Sequence, residues 1–182
     1  MEVPIRTIIS AEEIQRRVQE LGEKITQDYQ GCELDVVGVL KGCMMFMSDL
    51  TRHIDLPMTC DFLRVSSYGN GQVSSGVVRF DFDVTQPITG KHVLLIEDII
   101  DTGLTMKYLL DNLKARRPAS LRVCSLLHKP SNTREEFPID YLGFTIPNVF
   151  VLGYGMDYEG RFRNLPFIGV LETEKTDSSL ES

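Results

Sequence analysis

The chain has 182 residues, of which 42% are hydrophobic and 25% are charged, and its formal net charge is −7 at pH 7. This length and composition are typical of one globular domain with a substantial core. The acidic total argues against a general nucleic-acid binder, because binding a phosphate backbone requires clustered Lys and Arg. It leaves open one small phosphorylated ligand, held by a metal ion and a few local donors.

No apolar stretch approaches the ~20 residues of a membrane-spanning helix. The first ten residues, MEVPIRTIIS, lack the long apolar segment of a signal peptide. The cysteines show no CxxC or zinc-binding spacing, so we expect reduced and mostly buried thiols. These features predict a cytoplasmic protein without a membrane partner. The cysteines are Cys32, Cys43, Cys60 and Cys124.

The first part of the chain alternates between helix and strand patterns. Apolar residues at helical spacing predict an amphipathic helix over 11–29, which begins after a capping box formed by Ser10 and Glu13. The apolar run over 35–40 predicts a buried strand, and the methionine-rich residues 43–50 predict a buried helix. The methionines favour core filling or an oligomer contact over an adaptable binding surface.

Residues 57–65 and 77–84 predict two strands on either side of a loop rich in Gly, Ser and Asn, residues 66–76. The loop could be a simple hairpin connection, since Asn70-Gly71 is a good tight-turn signal. A loop of this length in a compact domain is more often a lid or a binding loop. We therefore predict a mobile lid over 66–76.

The sequence VLLIEDIIDTGLT, which begins at Val93, is the most informative stretch of the chain. Its first four residues predict a strand buried on both faces, with the adjacent carboxylates Glu97 and Asp98 at its tip. A third carboxylate, Asp101, opens a small loop, and a helical pattern starts at Leu104. Such a loop before a helix offers backbone N–H groups to a phosphate. The acids could be an ordinary solvated first helical turn, but three of them within five residues favour a site.

A further strand is predicted over 121–127, and shorter strand-like runs follow over 141–144 and 150–153. The alternation of strands and helices from 35 to 127 implies an α/β fold. We expect a twisted, mainly parallel sheet flanked by helices, with right-handed connections. Ligands of such sheets bind at the carboxyl ends of the strands.

We expect a single domain over 1–182, with a core over about 33–130. The N-terminal helix and the segment after Lys129 lie outside the strand-helix alternation. Residues 1–32 and 131–170 are therefore expected to pack together as a small hood subdomain over the strand ends.

Several polar or aromatic residues follow the predicted strands and suit a phosphorylated sugar, a magnesium ion and a flat heterocycle. Adjacent carboxylates, with Asp157, offer the oxygen ligands that hard cations prefer. Lys129 could donate to a carbonyl of a base, and Phe150 could stack on it, although a surface lysine and a core phenylalanine are the simpler interpretations. Arg163 could hold phosphate oxygens or only pair with an acid of its own loop. The GxGxxG and Walker motifs are missing, which argues against NAD binding and P-loop ATP hydrolysis.

The stretch VLLIEDIIDTGLT closely resembles the phosphoribosyl-pyrophosphate (PRPP) binding motif of the type I phosphoribosyltransferases. Further matches resemble the hypoxanthine/guanine branch of that family, and together they cover residues 36–165. They are LKG at Leu40 to Gly42, the Ser67-Tyr68 pair, LLHKP around Lys129, and FVLGYGMDYEGRFRN from Phe150 to Asn164.

The resemblance implies a role for each residue that binds the donor substrate. Glu97 and Asp98 would hold the ribose hydroxyls of PRPP and the waters of its Mg²⁺, and Asp157 would bind a second Mg²⁺. The 5′-phosphate would lie against Asp101, Thr102, Gly103, Leu104 and Thr105. Pyrophosphate would contact Lys41, Gly42 and Arg163. Family members have a cis peptide bond at this point, so the bond between Leu40 and Lys41 is expected to be cis.

The resemblance also implies how the purine is recognised. Lys129 would donate to its 6-oxygen, Phe150 would stack on the ring, and backbone near Val151 and Asp157 would meet its other edge. Asp101 would act as the general base at N7. Ser67 and Tyr68 would belong to the lid that closes over the site.

The implied activity is purine salvage, in which hypoxanthine, and guanine as well, reacts with PRPP to give IMP or GMP and pyrophosphate. The alternatives are the same reaction on xanthine or another base, a nucleotide-sensing regulator of this fold that binds RNA, and a non-catalytic nucleotide-binding oligomer. The acidic total argues against the RNA-binding regulator, and the presence of Asp101 argues against the non-catalytic protein. The resemblance further implies a homodimer or a homotetramer.

Overall fold

A computed structural model describes residues 4–67 and 78–172 of the chain. Within these residues a large sheet, a two-stranded sheet and three helices form. In chain order the elements are β1 (Ile5–Ile9), α1 (Ala11–Asp28), β2 (Leu34–Val39), α2 (Met44–Thr51), β3 (Met58–Ser67), β4 (Val78–Phe82), β5 (His92–Ile100), α3 (Leu104–Ala115), β6 (Ser120–His128), β7 (Tyr141–Thr145) and β8 (Ile168–Leu171).

The larger sheet has six strands in the order β4-β3-β2-β5-β6-β7. Its five neighbouring strands from β3 to β7 run parallel, and β4 pairs antiparallel with the edge of β3. The predicted α/β fold with a mainly parallel sheet is therefore confirmed. Because parallel strands end at the same edge, the residues that follow β2, β5 and β6 lie side by side.

The two faces of this sheet support separate cores, because successive side chains of a strand point to opposite faces. Val36 and Leu94, which are register partners, pack with the apolar sides of α1 and α2. Val37 and Leu95, the next pair along, pack with the apolar side of α3. Both β2 and β5 are thus buried on both faces, as their continuous apolar runs predict.

Helix α1 begins as its sequence predicts. The Ser10 hydroxyl accepts from the Glu13 backbone N–H at 3.2 Å, and the Glu13 carboxylate accepts from the Ser10 backbone N–H at 2.8 Å. The buried side of α1 belongs to the same core as β2 and β5. This helix therefore covers the main sheet, which differs from its predicted place in a hood.

The hood segments also differ from the prediction at the other end of the chain. Residues 141–145 form β7 and join the main sheet, although they fall in the predicted hood segment 131–170. Outside that sheet, β1 pairs antiparallel with β8, and neither strand was predicted from the sequence. Residues 5–9 and 168–171 are thus brought together across most of the chain.

Two predicted strand boundaries are wrong for identifiable reasons. Strand β5 does not end before Glu97, because its backbone pairing with β6 continues to Ile100 whatever the polarity of the side chains. Residues 150–153 do not form a strand within the described part of the chain. There Leu152 makes an isolated bridge to Gly169, and Gly153 has a φ of +93°, which extended backbone does not adopt.

The remaining predictions concern the lid, the cysteines and the membrane. Strands β3 and β4 form the predicted antiparallel pair, whereas the lid loop falls almost wholly outside the described residues. Cys43 and Cys124 are buried, Cys32 is partly buried and Cys60 is exposed, and all four are free thiols. The described helices include none that is long and apolar enough to cross a membrane.

Candidate active site

The carboxyl ends of β2 and β5 face a cavity of about 400 Å³. Six residues that the sequence predicts for the site line this cavity, and they come from three segments of the chain. They are Lys41, Gly42, Glu97, Asp98, Asp157 and Arg163. Arg64 and Val65 of β3 also line it, and neither was predicted.

The turn after β2 requires glycine at its second position. The peptide bond between Leu40 and Lys41 is cis, as the family resemblance implies. A Cβ atom on Gly42 would lie 1.6 Å from Oδ2 of Asp98, which is far closer than atoms can approach. The missing side chain of Gly42 therefore lets the turn pack directly against the carboxylate at the end of β5.

Glu97 and Asp98 form a carboxylate pair with little neutralisation from the protein. Oε2 of Glu97 is buried and has no hydrogen-bond partner among the described residues. Burial, together with the charge of Asp98, raises the pKa of Glu97 well above its ordinary value. Burial also raises the pKa of Asp98 to about 6, although its own backbone N–H, that of Ile99 and the Arg163 guanidinium lower it. The pair thus suits a ligand that brings positive charge or hydroxyl donors.

The pair also has the chemistry of a magnesium site. Carboxylate oxygens are the ligands that Mg²⁺ prefers, and a cation beside Glu97 would give its orphaned oxygen a partner. Nowhere in the described residues do three His, Cys, Asp or Glu side chains gather as a ready-made metal cage. Proteins usually hold Mg²⁺ by one or two carboxylates, with water and substrate phosphates completing the shell, and Glu97 and Asp98 offer two carboxylates.

The raised pKa of Asp98 makes its charge a cost to the folded protein. The folded chain binds this proton more tightly than the unfolded chain, so this contribution to stability is present in acid and is lost as pH rises through about 6. Without divalent cations, Asp98→Asn should raise the free energy of unfolding at pH 7.5 by about 1–3 kcal/mol. The gain should vanish below pH 4. Urea denaturation at both pH values measures it, with Asp111→Asn on exposed α3 as the charge control. A variant less stable than wild type at pH 7.5 would contradict this account.

The loop between β5 and α3 has the geometry of a phosphate cradle. Gly103 takes a φ of +81°, which turns the chain into α3 at Leu104. In the described part of the chain Gly103 offers no side-chain cap, and the Leu104 N–H makes only a long hydrogen bond of 3.5 Å to Oγ1 of Thr102. The first backbone N–H groups of α3, from Leu104 and Thr105 onward, are thus available to an anion.

Asp101, at the start of this loop, is held by two side chains from the segment after β6. Nζ of Lys129 lies 3.3 Å from one carboxylate oxygen, and the Asn132 amide donates to the other. Lys129 is only 6% exposed, so the simpler interpretation as a surface lysine is wrong. A buried ammonium beside a carboxylate can exchange that carboxylate for another oxygen acceptor brought by a ligand.

The loop after β7 closes the other side of the cavity. Arg163 pairs with Asp157 at 2.5 Å and donates to the Gly155 carbonyl at 2.6 Å. Gly155 has a φ of +101°, and a Cβ atom there would lie 2.0 Å from the carbonyl oxygen of Gly42. The loop therefore packs backbone to backbone against the turn after β2, which brings Arg163 to the cavity. Arg163 thus pairs with an acid of its own loop, as the simpler interpretation has it, and it also lines the cavity; its contact with phosphate stays a prediction.

Phe150 and Val151 lie outside the group that lines the cavity. Phe150 is 59% exposed and meets Tyr158 edge to face, with ring centroids 5.8 Å apart, so it is not a core residue. Its exposed ring face is available to a flat ligand. Val151 is buried, which leaves its backbone rather than its side chain to meet one.

Some site predictions lie beyond what the structure describes, and some contacts were missed. The side chain of Ser67 and all of Tyr68 are outside the described residues. Arg64 was missed because it was treated as part of a strand, although a charge near the end of an apolar run is a usable signal. Asn132 was missed because it lies among other polar residues in a loop, where no sequence pattern distinguishes it from its neighbours.

Comparison with known proteins identifies the family. Residues 7–159 match the phosphoribosyl transferase domain. The hypoxanthine-guanine phosphoribosyltransferase of Bacillus subtilis is 47% identical over 167 residues, which are 92% of this chain and 93% of that protein. The bifunctional protein TilS/HprT of Listeria monocytogenes (strain EGD-e) is 48% identical over 93% of this chain. The chain spans only 26% of the length of that protein.

Solved structures agree with this match. The hypoxanthine-guanine phosphoribosyltransferase of Bacillus anthracis superposes with a TM-score of 0.89 at 43% identity, covering 93% of this chain and all of that one. The family match covers most of the chain, and both the full-length relative and the superposed structure fall in one branch. The chain therefore belongs to the phosphoribosyltransferase family, in its hypoxanthine-guanine branch.

Proposed function

We propose that this chain transfers the 5-phosphoribosyl group of PRPP to hypoxanthine and guanine, giving IMP or GMP and pyrophosphate in purine salvage. The observation that carries the proposal is the half-buried Glu97–Asp98 pair, with its unpartnered Glu97 oxygen, beside a phosphate loop and next to a buried Lys129 on Asp101. These groups supply, along one sheet edge, partners for a sugar, a phosphate and a 6-oxopurine. The names of the full-length relatives support the same substrates.

The phosphoribosyl donor is proposed to lie along the end of β5. Glu97 and Asp98 would accept hydrogen bonds from the ribose hydroxyls and, with Asp157, would hold Mg²⁺ through carboxylate oxygens and water. When bound, the metal would neutralise charge that builds on the pyrophosphate leaving group. The 5′-phosphate would take the N–H groups at the start of α3, where the helix dipole favours negative charge.

Pyrophosphate is proposed to bind between the turn after β2 and the loop after β7. Lys41 and Gly42 line the cavity there, and so does Arg163. Arg163 now pairs with Asp157. A phosphate oxygen would compete for the same guanidinium and would place its positive charge where the leaving group becomes negative.

The purine is proposed to lie between Lys129 and Phe150. Lys129 would leave Asp101 and donate to the 6-oxygen, and the exposed ring of Phe150 would stack on the base. Backbone near Val151 and Asp157 would meet the opposite edge. Asp101, freed of its ammonium partner, would take the proton from N7, which raises the nucleophilicity of the purine.

The proposal also includes the lid, the oligomeric state, the location and the partners of the protein. Ser67 and Tyr68 stay a predicted lid. A homodimer or homotetramer, a cytoplasmic location and the absence of a nucleic-acid or membrane partner are proposed from the family resemblance and the acidic composition.

One set of kinetics tests the function and the role of Lys129 together. The wild type should use PRPP with hypoxanthine and guanine and should discriminate strongly against adenine, which lacks the 6-oxygen. Lys129→Ala should lower kcat/KM for hypoxanthine by roughly 10²-fold or more and reduce that discrimination, because a lost hydrogen bond to a buried polar group is costly. Lys114→Ala, an exposed lysine at the far end of α3, is the control. Wild type without activity on either 6-oxopurine would refute the function, whereas unchanged selectivity in Lys129→Ala would move recognition elsewhere.

A further inference from the structure

The polar segment after β6 runs along the phosphate loop and contacts it repeatedly. We call residues 132–135 the brace. The Asn132 amide donates to the Asp101 carboxylate, and the Thr133 hydroxyl lies 2.9 Å from the Asp101 carbonyl oxygen. The Arg134 backbone N–H donates to the Thr102 carbonyl at 2.9 Å. These contacts follow one another along both segments, so the brace fixes the loop as a unit.

The brace is itself anchored to the end of β6. The Asn132 backbone N–H donates to the Lys129 carbonyl at 3.1 Å. The Thr133 hydroxyl also lies 3.0 Å from that carbonyl oxygen and 2.9 Å from Nε2 of His128. The imidazole can thus donate to the hydroxyl while the hydroxyl donates to a carbonyl. The same tight turn therefore holds both Lys129 and the contacts to Asp101.

Two side chains, Lys129 and Asn132, donate hydrogen bonds to the Asp101 carboxylate, and they would behave differently once a purine binds. Lys129 reaches one oxygen at 3.3 Å and, in the proposed function, leaves it for the 6-oxygen of the base. Asn132 sits on the other oxygen and has no such second task. After Lys129 departs, Asn132 is the side chain that still holds the carboxylate in its orientation, through the hydrogen bond from its amide.

We infer that Asn132 is a positioning residue, whose side-chain amide orients Asp101 for proton transfer while Lys129 binds the purine. This inference rests on the proposed function. It predicts an effect on the chemical step rather than on the binding of PRPP, since the backbone contacts between the brace and the phosphate loop do not depend on the Asn132 amide.

The test compares Asn132→Leu, which keeps the branching but lacks the donor, with Asn132→Gln, which keeps the amide on a longer side chain. With hypoxanthine and PRPP, Asn132→Leu should lower kcat by roughly 10- to 100-fold, by analogy with the loss of a hydrogen-bond partner that orients a metal ligand. Its KM for PRPP should stay within about twofold and its melting temperature should not change, because Asn132 is partly exposed. Asn132→Gln should recover part of the lost kcat. Ser131→Ala, an exposed neighbour, is the matched control.

Each outcome decides between distinct possibilities. A kcat for Asn132→Leu within about twofold of an active wild type would overturn this inference alone. A lower melting temperature, with kcat and KM for PRPP changing together and no recovery in Asn132→Gln, would also overturn it and leave a merely structural role. Wild type that is inactive with hypoxanthine and guanine would overturn the proposed function, and this inference with it.

Discussion

Asp101→Ala is expected to turn over roughly 10²–10⁴-fold more slowly than the wild type, which is the usual contribution of a general base. Its affinity for PRPP should change little, because the ribose and the 5′-phosphate are proposed to bind Glu97, Asp98 and the backbone of the phosphate loop. The loss should therefore fall on kcat. Steady-state kinetics with hypoxanthine and calorimetric titration with PRPP separate the two effects.

A stability measurement and a control variant guard this result against indirect effects. Asp101→Ala leaves the buried ammonium of Lys129 without its carboxylate, so a change in melting temperature must be measured beside the kinetics. Asp111→Ala removes the same charge from the exposed side of α3 and should be fully active. If Asp101→Ala kept the turnover of the wild type, Asp101 would not be the base.

Gly155→Ala should strongly impair both stability and pyrophosphate binding. The new Cβ would lie 2.0 Å from the carbonyl oxygen of Gly42, and at a φ of +101° an alanine is itself strained. Because the clash is with backbone, no side-chain rotation relieves it. We expect the free energy of unfolding to fall by about 2–5 kcal/mol, from left-handed strain and overpacking together. The KM for PRPP should rise, since the turn that carries Lys41 is displaced.

Gly160 provides the matched control in the same loop. It also has a positive φ, +78°, but a Cβ atom there would meet nothing within 4 Å. Gly160→Ala should therefore cost only about 1–2 kcal/mol, from backbone strain alone. Urea denaturation of both variants measures the difference. Equal losses would show that the contact between Gly155 and Gly42 contributes nothing to stability.

Much of the fold could be predicted because its elements carry strong local patterns. Helix α1 has both a capping box and a full apolar side, and β2 and β5 have continuous apolar runs. Strands β1 and β8 could not be predicted, because they are short and each is stabilised by a partner about 160 residues away. The end of β5 was predicted too early, because the polar residues Glu97 and Asp98 were taken to follow the strand. Its pairing with β6 continues past them, since backbone hydrogen bonding does not depend on side-chain polarity.

The candidate site likewise has residues that the sequence predicts and contacts that it does not. Most residues at the cavity were predictable because parallel strands deliver their last residues to one edge, and all of the predicted ones except Gly42 have ionisable side chains. The contacts of Lys129 and Asn132 with Asp101 were not predictable from patterns. They arise from the shape of an irregular turn after β6, and polar residues in such turns look alike in sequence.

The separation of the interior into two cores has a consequence for how this protein can change in evolution. Val151, Tyr154 and Met156, which carry the loop proposed to meet the purine, pack in the core beneath α1 and α2. Ile100 and Met106, on either side of the phosphate loop, pack in the core beneath α3. Substitutions beneath the loop proposed to meet the purine therefore act on one core, while the loop proposed to bind the 5′-phosphate rests on the other. A core substitution that shifts one of these loops therefore need not disturb the packing beneath the other.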